Sequence, residues 1–350
     1  MKEIKSKNYS IYLHNDRYNK LFDFIKSENY SKIFIHLDSN TKNLCLDVFL
    51  NQIDKIDYQT LVSKAGEEHK NIKSCIPLWN SLSELNADRK SLIINLGGGV
   101  VGDMGGFIAS TFKRGIDYIN IPTTLLSMVD ASVGSKTGID LGVLKNQVGS
   151  FYDPKMVIID TLYLETLCDK ELLSGYAEIF KHSIISNTNT FNSLISNDLN
   201  FKNINIIRES IEIKNNIVLI DKREKKERKA LNYGHTLGHA IESYFLNSNK
   251  KLLHGEAISI GIILASFISS KKVGLSNIYL DKIKNHIVEI YKKISFSKID
   301  IKEIIKLLIH DKKNSHGKIN FVLIKDIGKP IFDVEVENDI IIEAFKYYSN

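Results

Sequence analysis

The apolar run Ser91-Leu-Ile-Ile-Asn-Leu96 leads directly into Gly97-Gly-Gly-Val-Val-Gly-Asp103, and Met104-Gly-Gly-Phe-Ile-Ala109 then has the composition to begin a helix. Strand, glycine turn and helix in that order restrict a chain to layered α/β architectures. The rest of the first 160 or so residues keeps the same rhythm: Lys32 to Leu37, Tyr118 to Ile121 and Met156 to Ile159 are short β-branched runs between longer amphipathic stretches. This predicts a parallel sheet flanked by helices. From Lys170 onward the periodicity turns helical, as in Glu178 to Ile185 and Ile204 to Ile220, so the second half reads as mainly α. Lys318 to Ile324, a Gly328-Lys-Pro330 turn and Ile331 to Val336 form the exception, a late hairpin. The seam falls near Asp160 to Lys170. The expectation is an α/β domain over 1–165 and a mainly α domain over 166–350, with an active site between the halves by default.

With 350 residues, 43% of them hydrophobic, the chain can bury a large core in two domains. Its 47 Lys and Arg against 41 Asp and Glu are a modest surplus that suits small anionic substrates as well as it suits nucleic acid, and no nucleic-acid partner is expected only because the run Asp221 to Lys229 is balanced in sign. Cys45, Cys75 and Cys168 are odd in number, far apart and in no metal or redox spacing, which points to reduced thiols. The start of the chain lacks the apolar stretch of a signal peptide, and Ala257 to Ile268 is too short to span a bilayer. A cytoplasmic protein with no membrane partner is expected.

The glycine turn carries the first chemical signal. Glycines let backbone N–H groups approach a pyrophosphate, and a helix N-terminus favours negative charge. A tight turn in an α/β core would look the same, because the run is not a strict G-x-G-x-x-G. Thr123 and Thr124 lie just past a second strand end, followed by Ser132-Val-Gly-Ser-Lys136 and Lys145-Asn146, where open parallel sheets bind ligands. Thr-Thr is also a common helix cap.

Metal-ligand side chains supply the second signal. Glu178 and His182 are four apart, as are His235 and His239, and Glu242, His254 and Glu256 are close by. Four-residue spacing puts two side chains on one helix face, and a catalytic zinc needs about three nitrogen or oxygen ligands. Spacing does not choose among these seven. The run Asp221-Lys-Arg-Glu-Lys-Lys-Glu-Arg-Lys229 mixes signs and would ordinarily be a solvated loop, although it leads straight into the histidine segment.

From about Gly66 to Gly328, with Gly66-Glu-Glu-His-Lys70, Gly97 to Asp103, Lys113-Arg-Gly115, Pro122-Thr-Thr-Leu-Leu126, Asp130 to Lys136, Lys145-Asn146, Ala177-Glu178, Leu231 to Glu242 and His254-Gly-Glu256 in consistent order, the chain resembles the 3-dehydroquinate synthase family. The resemblance implies conversion of 3-deoxy-D-arabino-heptulosonate 7-phosphate to 3-dehydroquinate and phosphate in the shikimate pathway, with NAD and Zn2+ (or Co2+) as cofactors and a homodimeric state. It implies Glu178, His235 and His254 as metal ligands, with His239 facing substrate. The substrate residues it implies are Arg114, Asp130, Lys136, Asn146, Lys181, Lys214, Arg228, Asn232, His239 and Lys312. For NAD it implies Asp38, Glu67, Lys70, Gly98, Gly99, Val100, Val101, Gly102, Asp103, Thr123, Thr124, Lys136 and Lys145, with Tyr163, Leu164 and Thr166 closing over the cofactor.

Two positions depart from the family pattern, Ser135 and Leu144, where glycine is usual, and both bear on loop geometry more than on chemistry. Three rivals stand beside this reading. Another sugar-phosphate cyclase would change substrate-facing residues, whereas Lys214, Asn232 and His239 all fit the dehydroquinate pattern. A metal-dependent polyol dehydrogenase would release NADH. An inactive NAD-binding module would have no need of all three metal ligands.

Overall fold

A computed structural model describes residues 3–13, 16–53, 56–142, 144–196, 199–246, 248, 251–308 and 319–350. The chain divides into two compact units, Met1–Cys168 with Lys202–Asn215, and Asp169–Phe201 with Asn216–Asn350. The stretch 202–215, which the sequence reading gave to the second half, clusters with the first unit. Lys214 is bound there to Asp130, and the Asn215 amide donates to the Lys5 carbonyl.

In the first unit, strands β1 (Glu3–Lys5), β2 (Ser10–Tyr12), β3 (Lys32–Asp38), β4 (Gln59–Ser63), β5 (Ser91–Gly97) and β6 (Asp117–Pro122) are followed by an antiparallel ribbon of β7 (Lys136–Leu141) and β8 (Leu144–Phe151), then β9 (Met156–Ile158). The main sheet runs β1-β2-β9-β6-β5-β3-β4 and is parallel except for β1. Every residue of β5 is buried, as a strand covered on both faces must be. Helices α1 (Arg17–Glu28), α2 (Ser39–Leu44), α3 (Leu46–Leu50), α4 (Ile72–Glu84) and α5 (Gly99–Thr111) complete the layers. The expected strands at Lys32, Ser91, Tyr118 and Met156 are all present. The helix expected from Met104 starts earlier, at Gly99, because Gly98 is extended at the N-cap and the glycine run is itself the first turn.

A polar ladder crosses the middle of this sheet. His36 is registered with Asn95 and Asn95 with Asn120. His36 Nδ1 is 3.2 Å from Asn95 Oδ1, and Asn95 Nδ2 donates to Asn120 Oδ1 at 3.0 Å. Burial pushes the His36 imidazole down to about 4, so the ladder is neutral. A Cβ on Gly105 would stand 1.9 Å from Asn95 Oδ1, so α5 rests on the ladder at backbone distance.

The second unit is mainly α: α6 (Asp169–Ser186), α7 (Thr188–Ser196), the end of α8 (Ile204–Ile220), α9 (His235–Phe245), α10 (His254–Val273), α11 (Asn277–Ile290), α12 (Lys298–Leu308) and α13 (Asn338–Ser349). The hairpin expected late in the chain is β10 (Asn320–Asp326) with β11 (Lys329–Glu335), while Lys318 lies outside the described residues. Apolar on most sides, α10 is buried from Gly255 to Ser269 except at Glu256 and Phe267, which are half-buried, and forms the axis of the unit. Its Gly261 lets α9 approach until a Cβ there would be 2.1 Å from the Gly234 carbonyl oxygen. That contact seats the start of α9 directly against the backbone of α10. Among the described residues no helix is long and apolar enough to cross a membrane.

Candidate active site

The first unit contributes a cradle made mostly of backbone. Because α5 begins inside the glycine run, its first N–H groups have no intrahelical acceptor and mark a place for an anion. Gly97, Gly98, Gly99 and Gly102 line the adjoining space together with Asn120 and Ser132. A Cβ on Gly98 would sit 3.1 Å from the Thr124 methyl, so a side chain there would narrow this space. Val101 is buried under the turn, and Val100 is half-buried beside it. Asp38, at the end of β3 beside β5, caps α2 by accepting from Asn40 N and Thr41 N. A carboxylate at the end of the neighbouring strand is where a dinucleotide ribose is gripped in such sheets. The capping reading holds for Thr124, whose hydroxyl accepts from Ser127 N. Thr123 is buried, and its N–H donates to the Gly97 carbonyl.

Lys70 ties this cradle to the ribbon. Its ammonium donates to Asp103 Oδ2 at 2.6 Å and to Asn146 Oδ1 at 2.7 Å. Burial opposes the charge on Lys70, but Asp103 and Glu67 outweigh it and hold the ammonium above its usual range. Asp103 is shifted up, since burial outweighs Lys70. Lys145 lies 3.7 Å from Glu67. Asn146, one of the few non-glycine residues at positive φ, donates its backbone N–H to Asp140. Lys145 and Asn146 thus lie on a strand of the ribbon, where the sequence reading had loops at strand ends.

Asp130 sits in a π-helical turn, Ser127–Ala131, and accepts from Lys214 at 2.5 Å. Ser135 takes φ +61 and is pinned by a hydrogen bond to Asp153, which shows how a serine occupies a turn where glycine is usual. Its neighbour Lys136 is exposed at the start of β7. Arg114 is exposed on a turn where Lys113, Arg114 and Gly115 all have positive φ. Tyr163 and Leu164 are buried in a short helix, Thr161–Glu165, with the Tyr163 hydroxyl against Tyr18, and Thr166 ends that helix.

The second unit builds its pocket from side chains. Glu178, fully buried on α6, places Oε1 3.3 Å from His235 Nε2 and 3.5 Å from His254 Nε2. Those separations are long for hydrogen bonds, and Oε1 has no hydrogen-bond partner. The outer nitrogens are both engaged: His235 Nδ1 faces the Tyr233 carbonyl at 3.2 Å, and His254 Nδ1 faces Glu242 Oε2 at 3.2 Å. Each partner can accept a proton from Nδ1, and Nε2 of both rings points at Glu178. An anionic oxygen and two imidazole Nε2 atoms converge there, a donor set that fits a divalent cation, which would displace the second proton that the neighbouring carboxylates favour on His254. His239 joins His235 and His254 in a second triad whose ligand atoms lie within 4.8 Å of one another.

Charge balance in this pocket is tight. Burial opposes ionisation of Glu178, yet the Lys181 ammonium and His235 hold its carboxylate well below the usual range. Lys181 bonds the other Glu178 oxygen and is itself buried. Burial and then Lys181 lower His235, whereas for His254 the carboxylates of Glu178 and Glu242 outweigh burial and lift it to about 10. Of the seven ligand candidates, Glu242 supports His254, and Glu256 caps α10 by accepting from Leu253 N. His182 is buried next to Lys181 on α6.

Arg228 and Asn232 follow in the short helix Glu227–Asn232, where Arg228 is 3% exposed. The Asn232 amide donates to Glu224, and three backbone N–H groups converge on Asp221. The sequence reading passed over Asp221 and Glu224 because their charge run resembles a solvated loop. The available signal was their place just before the histidine segment. Lys312 lies outside the described residues.

Residues 60–174 match the family model of the 3-dehydroquinate synthase N-terminal domain, and residues 175–314 match that of its C-terminal domain. A 3-dehydroquinate synthase of Parabacteroides distasonis is 41% identical over 337 residues, covering 95% of this chain and 96% of that one. Another, of Leptospira interrogans, is 37% identical over 350 residues, covering 97% and 94%. Among solved structures, 2-deoxy-scyllo-inosose synthase complexed with carbaglucose-6-phosphate, NAD+ and Co2+ is similar in fold, with a TM-score of 0.85, 24% identity and 99% coverage of both chains. Glycerol dehydrogenase from Schizosaccharomyces pombe is a more distant likeness, with a TM-score of 0.65, 14% identity and coverage of 99% of this chain and 89% of that one.

Proposed function

The chain belongs to the 3-dehydroquinate synthase family, and on that premise we propose that it converts 3-deoxy-D-arabino-heptulosonate 7-phosphate to 3-dehydroquinate and phosphate, as a cytoplasmic homodimer in the shikimate pathway. When bound, NAD supplies a hydride acceptor that later returns what it took, and a divalent metal, zinc or in its place cobalt, polarises substrate oxygens. Residues 1–165 serve as the NAD-binding domain and residues 166–350 as the metal and substrate domain.

Glu178, His235 and His254 hold the metal, and His239 faces substrate. The turn Gly98 to Asp103 holds the pyrophosphate of NAD, and Asp38 holds a ribose. Glu67, Lys70, Thr123, Thr124 and Lys145 complete that site, with Tyr163 to Thr166 over it. The substrate brings a carboxylate and a phosphate, so cations must line its cleft, and Lys136, Lys181, Lys214, Arg228, Arg114 and Lys312 meet those charges. Asp130, Asn146, Asn232 and His239 orient its hydroxyls. Lys181, buried against Glu178, is placed to hold or pass a proton close to the metal.

The observation that carries this reading is the unpartnered Glu178 oxygen between two imidazole nitrogens, in a chain of this family. The test is incubation with the heptulosonate phosphate, NAD and zinc, following phosphate release, product identity and NADH absorbance. Equal amounts of phosphate and dehydroquinate with no net NADH are expected. Growing NADH absorbance would instead assign a polyol dehydrogenase, and a different carbocycle another cyclase.

A further inference from the structure

We propose that Asp221 is a positioning residue for substrate binding, acting through Arg228; the inference rests on the functional reading above, in which Arg228 meets a substrate anion. The charged run 221–229 would be expected to stay solvated, yet it folds around a single carboxylate. Asp221 Oδ1 accepts from Lys225 N at 3.0 Å, and Oδ2 accepts from Lys226 N at 2.7 Å and from Arg228 N at 3.2 Å. One acidic side chain at the end of α8 therefore gathers the next seven residues into a closed turn. Burial pushes the Asp221 carboxyl up, but these three N–H groups outweigh it and keep the anion favoured.

The turn delivers a buried cation. Arg228 is 3% exposed, and its Nη1 donates at 2.6 Å to the carbonyl of Lys222, a residue inside the same turn. Both the backbone and the guanidinium of Arg228 are thus fixed by the loop that Asp221 closes. A guanidinium recognises carboxylate or phosphate through a planar fork, so its orientation governs affinity for an anionic substrate. A second carboxylate touches the same short helix from outside: Asp333, at a register shift in β11 with φ +56, takes Lys229 at 2.6 Å. That pair joins a half-buried lysine to an exposed carboxylate and serves as a control.

The test is steady-state kinetics on metal-loaded protein with the heptulosonate phosphate as varied substrate. Asp221→Ala is expected to raise KM roughly tenfold, with kcat within about threefold and bound metal unchanged, since one oriented charge-assisted contact is weakened. Asp221→Asn, which keeps one acceptor oxygen, should fall between wild type and Asp221→Ala. In an Arg228→Ala background, Asp221→Ala should add less than about twofold, because the two act as one unit. Full multiplication of the two effects would overturn the proposal, and so would wild-type KM in Asp221→Ala. An equal KM rise in Asp333→Asn would reduce the effect to general loosening of the segment and overturn it too. Wild-type protein that releases no phosphate would defeat the functional reading, an outcome distinct from turnover that ignores Asp221.

Discussion

The cradle of the first unit and the pocket of the second solve opposite problems. The cradle is built from backbone: glycines at the end of β5 and the first N–H groups of α5, beside the α2 cap at Asp38, offer donors to an anion without burying an unpaired charge. The pocket is built from buried side chains whose charges balance only as a set, with Glu178 opposed by Lys181 and by two imidazoles. Backbone sites tolerate changes in side-chain chemistry but not in side-chain volume. Side-chain sites behave the other way, because removing one member leaves a buried charge uncompensated.

The sharpest way to break this contrast is Glu178→Ala. Bound metal should be lost and turnover should fall on the order of 1,000-fold, while NAD affinity stays within about threefold; full metal content in that variant would dissolve the assigned pocket. Next in size is Lys181→Ala, expected to cut kcat roughly 100-fold with NAD binding nearly normal, as for a lost proton-transfer group. Unchanged kcat would remove Lys181 from the site. Glu242→Gln should weaken metal affinity by about tenfold, because the amide supports the His254 tautomer less well, and competition with a chromophoric chelator measures it. The smallest effect is expected on the cradle side. Gly98→Ala adds a methyl 3.1 Å from Thr124 and should weaken NAD binding by a few-fold, about 1 kcal/mol, with metal content untouched. A calorimetric titration showing NAD affinity unchanged would mean the cofactor does not approach that turn.

The same contrast explains what was legible in the sequence. Alternating runs at Lys32, Ser91, Tyr118 and Met156 announced the sheet because fully buried strands must be apolar, and Glu178 to Ile185 and Ile204 to Ile220 announced helices through their period. The start of α5 was read late, since glycines carry no helix signal even where they form the first turn. Four-residue spacing exposed the histidines but left seven ligand candidates. Spacing could not show the outer contacts: the Tyr233 carbonyl behind His235, Glu242 behind His254 and the capping role of Glu256. Such contacts join residues with no pattern in common. Asp221 was hidden for a related reason, because a carboxylate that accepts from backbone N–H groups looks like any other acidic residue in a charged run.

The ladder of His36, Asn95 and Asn120 has a consequence for how the first unit assembles. Side chains alternate between the two faces of a strand, so sliding β5 by one position would turn Asn95 to the opposite face and strand the imidazole and the second amide without their partner. Hydrophobic contacts between isoleucines and leucines are nearly interchangeable, and they would allow several alignments of such similar strands. Three neutral polar groups that meet in only one alignment act as a key, selecting a single arrangement from many of comparable greasiness.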